Sequence, residues 1–257
     1  MEKRLILLVL TIAASMTQLY AQSESGLILG VAVDKKINKQ VSVGLEADYR
    51  SRNDFKTAER WSLGVGAGYK LTKWLKADAG YSFLNTNYRE KISGESPKRK
   101  WRPSYWGGRH RLHLSLSADH KLWGNLRVSL RERWQYTYRP EQAVDRWIIQ
   151  ELDFGDATWK TKKLDSDYVR EGAGKHQLRS RFQVEWDKKH AMLTPFANVE
   201  FYNSLSVEKV RYTVGTDIKL GKQHSLNVYY RFQDIIDEDE DSDPDMHYLG
   251  LGYKFKF

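Results

Sequence analysis

The chain has 257 residues, with 42 Lys and Arg against 33 Asp and Glu for a formal net charge of +9, no Cys, and 9 Trp, 15 Tyr and 9 Phe. A mean hydropathy of −0.67, with no apolar run near the ~20 residues a spanning helix needs beyond residue 21, excludes a multi-helix membrane protein. The aromatic content and only 5 Pro exclude a disordered chain, and the absence of Cys excludes a disulfide scaffold and a lipid-modified N-terminal Cys.

Residues 1–21 read as a secretory signal: Lys3 and Arg4 form a basic start, Leu5–Ala14 an apolar stretch, and Ala21 a small residue at the cleavage point. Its removal takes away Glu2, Lys3 and Arg4, one acid and two bases, and lowers the net charge by one. The expected mature domain is 22–257. From there the chain alternates apolar and polar residues with period two, the mark of strands with one apolar face. Strands are expected at 27–36, 40–50, 61–71, 75–84, 109–122, 126–139, 177–187, 193–203, 208–220, 224–236 and 246–257. In 61–71, for example, Trp61, Leu63, Val65, Ala67, Tyr69 and Leu71 oppose Ser62, Gly64, Gly66, Gly68 and Lys70. Connections alternate in size. Short ones fall at 36–39, 72–73, 123–125, 188–191 and 221–223. Longer or more polar ones fall at 51–59, 89–108, 140–175, 204–207 and 237–245, with 204–207 the exception in length.

Alternation alone does not say which face meets water. A soluble sandwich turns its apolar face inward, whereas a membrane barrel turns it out to lipid. Three features favour the barrel. The chain ends on an alternating apolar series closing in Tyr253, Phe255 and Phe257, the kind of terminal signal read by barrel-insertion machinery. Aromatics gather towards strand ends, as interfacial belts require. The strands are also longer than the ~5–6 residues usual in globular sheets. The expected fold is therefore all-β, an antiparallel up-and-down transmembrane barrel. Eleven strands are legible. Twelve are expected, with ten next, because single-chain bacterial barrels favour even numbers, and the twelfth is sought in 22–27 or within the loops. Glu132 breaks the pattern between Leu130 and Trp134, so it is expected either near the rim or at a bulge.

The segments WSLGVGAGYKL, LKADAGYSFL, LTPFANVEFYN, VRYTVGTDIKLGKQHSLNVYYRFQ and YLGLGYKFKF resemble the family catalogued as domain of unknown function 2490. The resemblance implies a Gram-negative outer-membrane barrel and brings no activity, cofactor or functional residue. The 140–175 segment lies outside the quoted motifs.

With the apolar faces outward, a strongly charged set points inward. Arg131, Arg133, Arg179, Arg181, Arg211 and Arg231 are the candidate lumen and anion-binding residues, and 126–139 is expected beside 177–187, which would set two Arg rows together. The first reading is a structural or interaction barrel whose lumen is closed by ion pairs, with loops 89–108 and 140–175 as its external surface. The alternative is a narrow anion-preferring channel for small acidic solutes. A lumenal or rim hydrolase is the distant third. His113, Ser115, Ser117 and Asp119 share one strand face, but neighbours ~7 Å apart with parallel side chains suit a nucleophile–base contact poorly. No enzyme, cofactor or metal centre is expected. Asp237, Asp239 and Asp241 resemble a calcium loop only weakly, because Ser242 and Tyr248 stand where that loop needs Gly and Glu. The expected partners are outer-membrane lipid and lipopolysaccharide, the insertion machinery and a small anionic solute, and not nucleic acid, since bases alternate with acids along the strands.

Overall fold

A computed structural model describes residues 23–94, 98–150, 160–163, 168–188, 191–236 and 244–257. The leader ending at Ala21 and the acidic Asp237, Asp239 and Asp241 lie outside the described residues. In chain order the strands are β1 (Glu24–Lys36), β2 (Val41–Arg52), β3 (Thr57–Lys70), β4 (Leu75–Tyr88), β5 (Lys91–Ser93) and β6 (Lys98–Arg102). Next come β7 (Tyr105–Lys121), β8 (Leu126–Arg139), β9 (Gln142–Val144), β10 (Trp147–Gln150), β11 (Lys160–Lys163) and β12 (Tyr168–Arg170). The last five are β13 (Ala173–Trp186), β14 (Leu193–Asn203), β15 (Val207–Lys219), β16 (His224–Ile235) and β17 (Met246–Lys256).

The eleven long strands close into one barrel in the order β1, β2, β3, β4, β7, β8, β13, β14, β15, β16, β17 and back to β1. Among the described residues the barrel has no twelfth strand, against the expectation from parity. Residues 24–27 extend β1, and the short strands in the two largest connections pair outside the barrel, as the sheet β11-β10-β6-β5 and the pair β12-β9. Up-and-down strands reverse direction each time, so an odd number leaves the first and last pointing the same way. The closing pair β1/β17 is accordingly parallel, in continuous register from Glu24↔Met246 to Asp34↔Lys256, while the other neighbours are antiparallel. The strictly antiparallel expectation is corrected at this one seam.

The shortest barrel strands have eleven residues. At ~3.3 Å per residue and a tilt of ~40° they span ~28 Å, close to the apolar thickness of a bilayer. The outward face carries Leu45, Leu63 and Leu114 at 62%, 57% and 56% exposure, while Gln135, Glu200 and Arg211 inside are at 4%, 6% and 9%. A water-soluble domain shows the reverse. Rings gather at both ends of this apolar band. Trp61 meets Phe83 at 5.6 Å, Phe83 meets His110 at 5.6 Å, and Phe232 meets His247 at 4.9 Å towards the end bearing the long connections. Tyr69, Trp74, Trp123 and Phe257 stand exposed at the opposite end.

The tight turns at that opposite end have local causes. Asn38 Oδ1 accepts from the amides of Gln40 and Val41, and Thr72 Oγ1 accepts from those of Trp74 and Leu75. Gly124 takes the left-handed φ of +66° that its turn requires. At the other end the expected 51–59 connection contracts to residues 53–56, and 204–206 is equally brief. Residues 89–104 and 140–172, in contrast, carry the six short strands.

Candidate functional site: the lumen

β8 and β13 pair so that Arg133 stands opposite Arg179 and Arg131 opposite Arg181, which sets like charges face to face. The neighbouring strand β14 relieves half of this conflict. Glu200 reaches across, its Oε1 2.5 Å from Arg131 Nη2 and its Oε2 2.9 Å from Arg179 Nη2. The Tyr202 hydroxyl donates to the same carboxylate at 2.9 Å and accepts from Arg211 Nη1. The Tyr202 ring is covered by the guanidiniums of Arg179 and Arg211, each 4.5 Å from its centroid. Alternation puts Tyr202 inward two places after Glu200, which was the one sequence signal for this buried ring.

The acids elsewhere are largely committed. Asp48 lies 3.6 Å from Arg50 and 3.4 Å from Arg60 and accepts from Ser62, while Glu59 accepts from the Tyr248 hydroxyl at 2.8 Å. Towards the short-turn end the pairs are local: Lys76 with Asp78, Lys254 with Asp34, and Arg127 between Asp119 and Glu185 at 2.9 and 3.2 Å. Arg111, Arg133, Arg181, Arg211 and Arg231 differ from all of these. Among the described residues none of the five has a carboxylate within ion-pair distance. Four of them donate through Nε to a neutral side chain on the next strand. Arg111 reaches Thr137 at 3.1 Å, Arg133 reaches Ser115 at 3.1 Å, Arg231 reaches Thr213 at 3.2 Å and Arg211 reaches Gln233 at 2.8 Å. The Nε of Arg181 is buried without an acceptor.

Two cavities of similar volume lie along the barrel. The upper one, about 450 Å³, is lined among others by Arg50, Arg111, Arg179, Arg211, Arg231 and Gly252. The lower one, about 430 Å³, is lined by Asp34, Gly44, Gly66, Gly68, Lys76 and Lys254 among others. Glu46, His113, Arg131, Arg133 and Arg181 line both and form the waist between them. The lumen is lopsided. β2 and β3 offer the inward glycines Gly44, Gly64 and Gly68 where β8 and β13 offer arginines, and the side chains of Asp34, Glu46 and Lys76 lie over those glycines. A third, smaller cavity of about 90 Å³ lies at the upper mouth beside Arg52, Tyr88 and Tyr248.

The remaining expected residues fall as follows. Ser115 accepts from Arg133 and Asp119 pairs with Arg127, so the His113, Ser115, Ser117 and Asp119 set is not brought into a nucleophile–base arrangement. Among the described residues no three His, Asp or Glu converge to hold a metal. At the C-terminus, Phe255 and Phe257 stack at 5.5 Å, and the Tyr253 hydroxyl lies 2.6 Å from His224 Nδ1. Phe257 donates its amide to Asp34 and accepts from the Lys36 amide, which ties the last residue to β1. Glu132 is neither at the rim nor at a bulge. β8 runs in unbroken register with β7 and β13, and Glu132 faces outward opposite Leu116 and Ser180, whose hydroxyl donates to it at 2.7 Å.

A closed sheet with an apolar, aromatic-girdled exterior and a charged interior defines the class of membrane-spanning β-barrels. Within that class, the chain belongs to the family described as protein of unknown function (DUF2490), which it matches over residues 26–242. No curated protein matches it. Among solved structures it is similar to the translocator domain of autotransporter NalP from Neisseria meningitidis, at 12% identity and a TM-score of 0.44, covering 78% of this chain and 70% of that one. It is also similar to the toluene transporter TbuX of Ralstonia pickettii, at 11% identity and a TM-score of 0.36, covering 76% and 59%. A third is the CymD monoaromatic hydrocarbon channel, at 8% identity and a TM-score of 0.35, covering 81% and 82%. The barrel assignment rests on the strand ladder itself.

Proposed function

We propose that this protein lies in the outer membrane of a Gram-negative cell, in contact with lipid and lipopolysaccharide, and that its lumen is an anion-preferring passage for small acidic solutes. The observation that carries this reading is a set of inward guanidiniums, among them those of Arg111, Arg133, Arg181, Arg211 and Arg231, that have no carboxylate partner among the described residues. A barrel closed purely by ion pairs needs matched charges, because an unpaired buried charge is costly. Matching is the rule at the short-turn end of this lumen and is incomplete at the waist and above it, where Glu200 and Asp48 each hold two arginines and leave others unmatched. A wall of one sign between low-dielectric strands concentrates counter-charge. The terminal Tyr253, Phe255 and Phe257 serve as the insertion signal in this reading.

Planar-bilayer recording under a salt gradient tests it. The reversal potential is expected on the anion-selective side and is expected to move towards neutrality when Arg133 and Arg181 are both changed to Ser. Cation selectivity, or no conductance from protein that migrates as a folded barrel, overturns the passage. A second reading has its own observation. The two longest connections fold together through the β6–β10 pairing into one external sheet, as suits a barrel whose product is its outer surface. That reading requires a silent lumen in the same recordings.

A further inference from the structure

We infer that the upper cavity is a binding chamber for one small polyvalent oxyanion, a molecule bearing at least two phosphate or carboxylate groups, held by the guanidiniums of Arg111, Arg133, Arg181, Arg211 and Arg231. The inference rests on the cationic-lumen reading above and adds a site and a ligand class to it.

The charge excess is confined. The upper cavity is lined by eleven basic residues, ten Arg and Lys209, against the four acids Glu46, Asp48, Glu59 and Glu200. Below the waist, Lys76 and Lys254 each have their own aspartate. A tube built only for through-passage has no need to change character halfway along, whereas a site does.

The donors are also held in place. Arg111, Arg133 and Arg231 each spend Nε on a hydroxyl of the adjacent strand, and Arg211 spends Nε on the Gln233 amide oxygen. Neutral partners fix the planes of these guanidiniums without neutralising them. For Arg111, Arg133 and Arg231 the terminal NH2 pairs remain for the lumen. A planar fork presented in this way matches the paired oxygens of carboxylate and phosphate, and ordering it beforehand removes part of the entropic cost of binding. Arg131 and Arg179 are shared with Glu200 and belong to the wall of the chamber rather than to its grip. A cavity of about 450 Å³ suits one small molecule. The surplus of positive charge is met by several negative groups on that molecule better than by one.

Titration calorimetry on the purified full chain in detergent, at constant ionic strength, tests the chamber with inorganic pyrophosphate and citrate as probes and acetate as the monovalent control. Saturable one-to-one binding is expected, at least about tenfold tighter for a polyvalent probe than for acetate. Changing Arg133 and Arg231 together to Gln is expected to weaken it by about tenfold or more, and Arg133→Lys to weaken it by keeping the charge without the fork. Arg127→Gln, at the ion-paired end, is expected to leave it unchanged. Heat-shifted electrophoretic migration reports that each variant is folded. Binding of pyrophosphate alone or citrate alone identifies the source chemistry, and binding of both supports the shared oxygen recognition. Equal, non-saturating heats for all three anions, or a folded Arg133/Arg231 double variant that binds as the parent does, overturn the chamber. Anion-selective conductance without saturable binding overturns the chamber and leaves the passage standing. Saturable binding in a silent barrel does the opposite.

Discussion

Glu200 shows how one side chain decides the state of a whole wall. It is the acid that bridges Arg131 and Arg179, and it also takes the Tyr202 hydroxyl. Glu200→Gln keeps the shape and removes the charge, leaving two more buried guanidiniums uncompensated. The expected loss is about 3–5 kcal/mol of stability, checked by the urea midpoint for unfolding from phospholipid vesicles. Glu132 presents the opposite case. It sits on the lipid-facing wall at mid-strand, where the Ser180 hydroxyl donates to it. An acid at that depth costs less than the ~2–4 kcal/mol of a base but still costs. Glu132→Leu is therefore expected to stabilise the barrel by about 1 kcal/mol in the same urea titration. A loss of stability would mean that this face is covered by something other than lipid.

At the scale of strands, the seam between β1 and β17 carries the strongest packing constraint. On its inner side Gly30 stands opposite Gly252, and a glycine faces a large residue at Ile28 opposite Gly250 and at Gly26 opposite Tyr248. The Tyr229 ring of β16 lies directly on Gly250, so close that a Cβ added there would come 2.1 Å from the ring's Cζ. The ring also packs against Ile28, Met246 and Tyr248, an apolar cluster beside the seam. Parallel pairing is slightly weaker per residue than antiparallel pairing, and this lock braces it. Gly250→Ala is expected to cost about 1–3 kcal/mol through overpacking. Adding Tyr229→Ala should recover part of that loss, giving a measurable coupling in a double-mutant cycle of urea midpoints. Simple additivity of the two changes would remove the lock from the account. Strand existence and sidedness were legible beforehand because a period of two is a local property. The cluster of Ile28, Met246 and Tyr248 was not, since its members come from the two ends of the chain.

For the molecule as a whole, the odd strand number has a topological consequence. β1 and β17 both run from the long-connection end to the short-turn end, so Ser23 sits with the long connections while Phe257 sits with the tight turns. The chain contains no Cys, which gives a clean background for single-cysteine labelling. With the long connections outside the cell, Ser23→Cys and Ser204→Cys are expected to react with a membrane-impermeant maleimide on intact cells. Lys222→Cys, in the turn at the opposite end, is expected to react only after the outer membrane is opened. If Ser23→Cys labels together with Lys222→Cys, the parallel seam is wrong and the barrel closes with an even number of strands.

The sequence by itself determined the class of fold, the faces of the strands and which residues point inward, because alternation, turn residues and the terminal aromatic series act over a few neighbours at a time. It also located the eleven barrel strands, and the twelfth was added only from the general preference for even numbers. Closure overruled that preference: β1 meets β17 in parallel, and no local signal reports which strands meet across 220 residues. The lumen divides in the same way. Alternation named Arg131, Arg133, Arg179 and Arg181 as a single inward set. Only the register between β8, β13 and β14 separated them, because Glu200 has two oxygens and reaches two of the four guanidiniums. The other two are left facing the cavity.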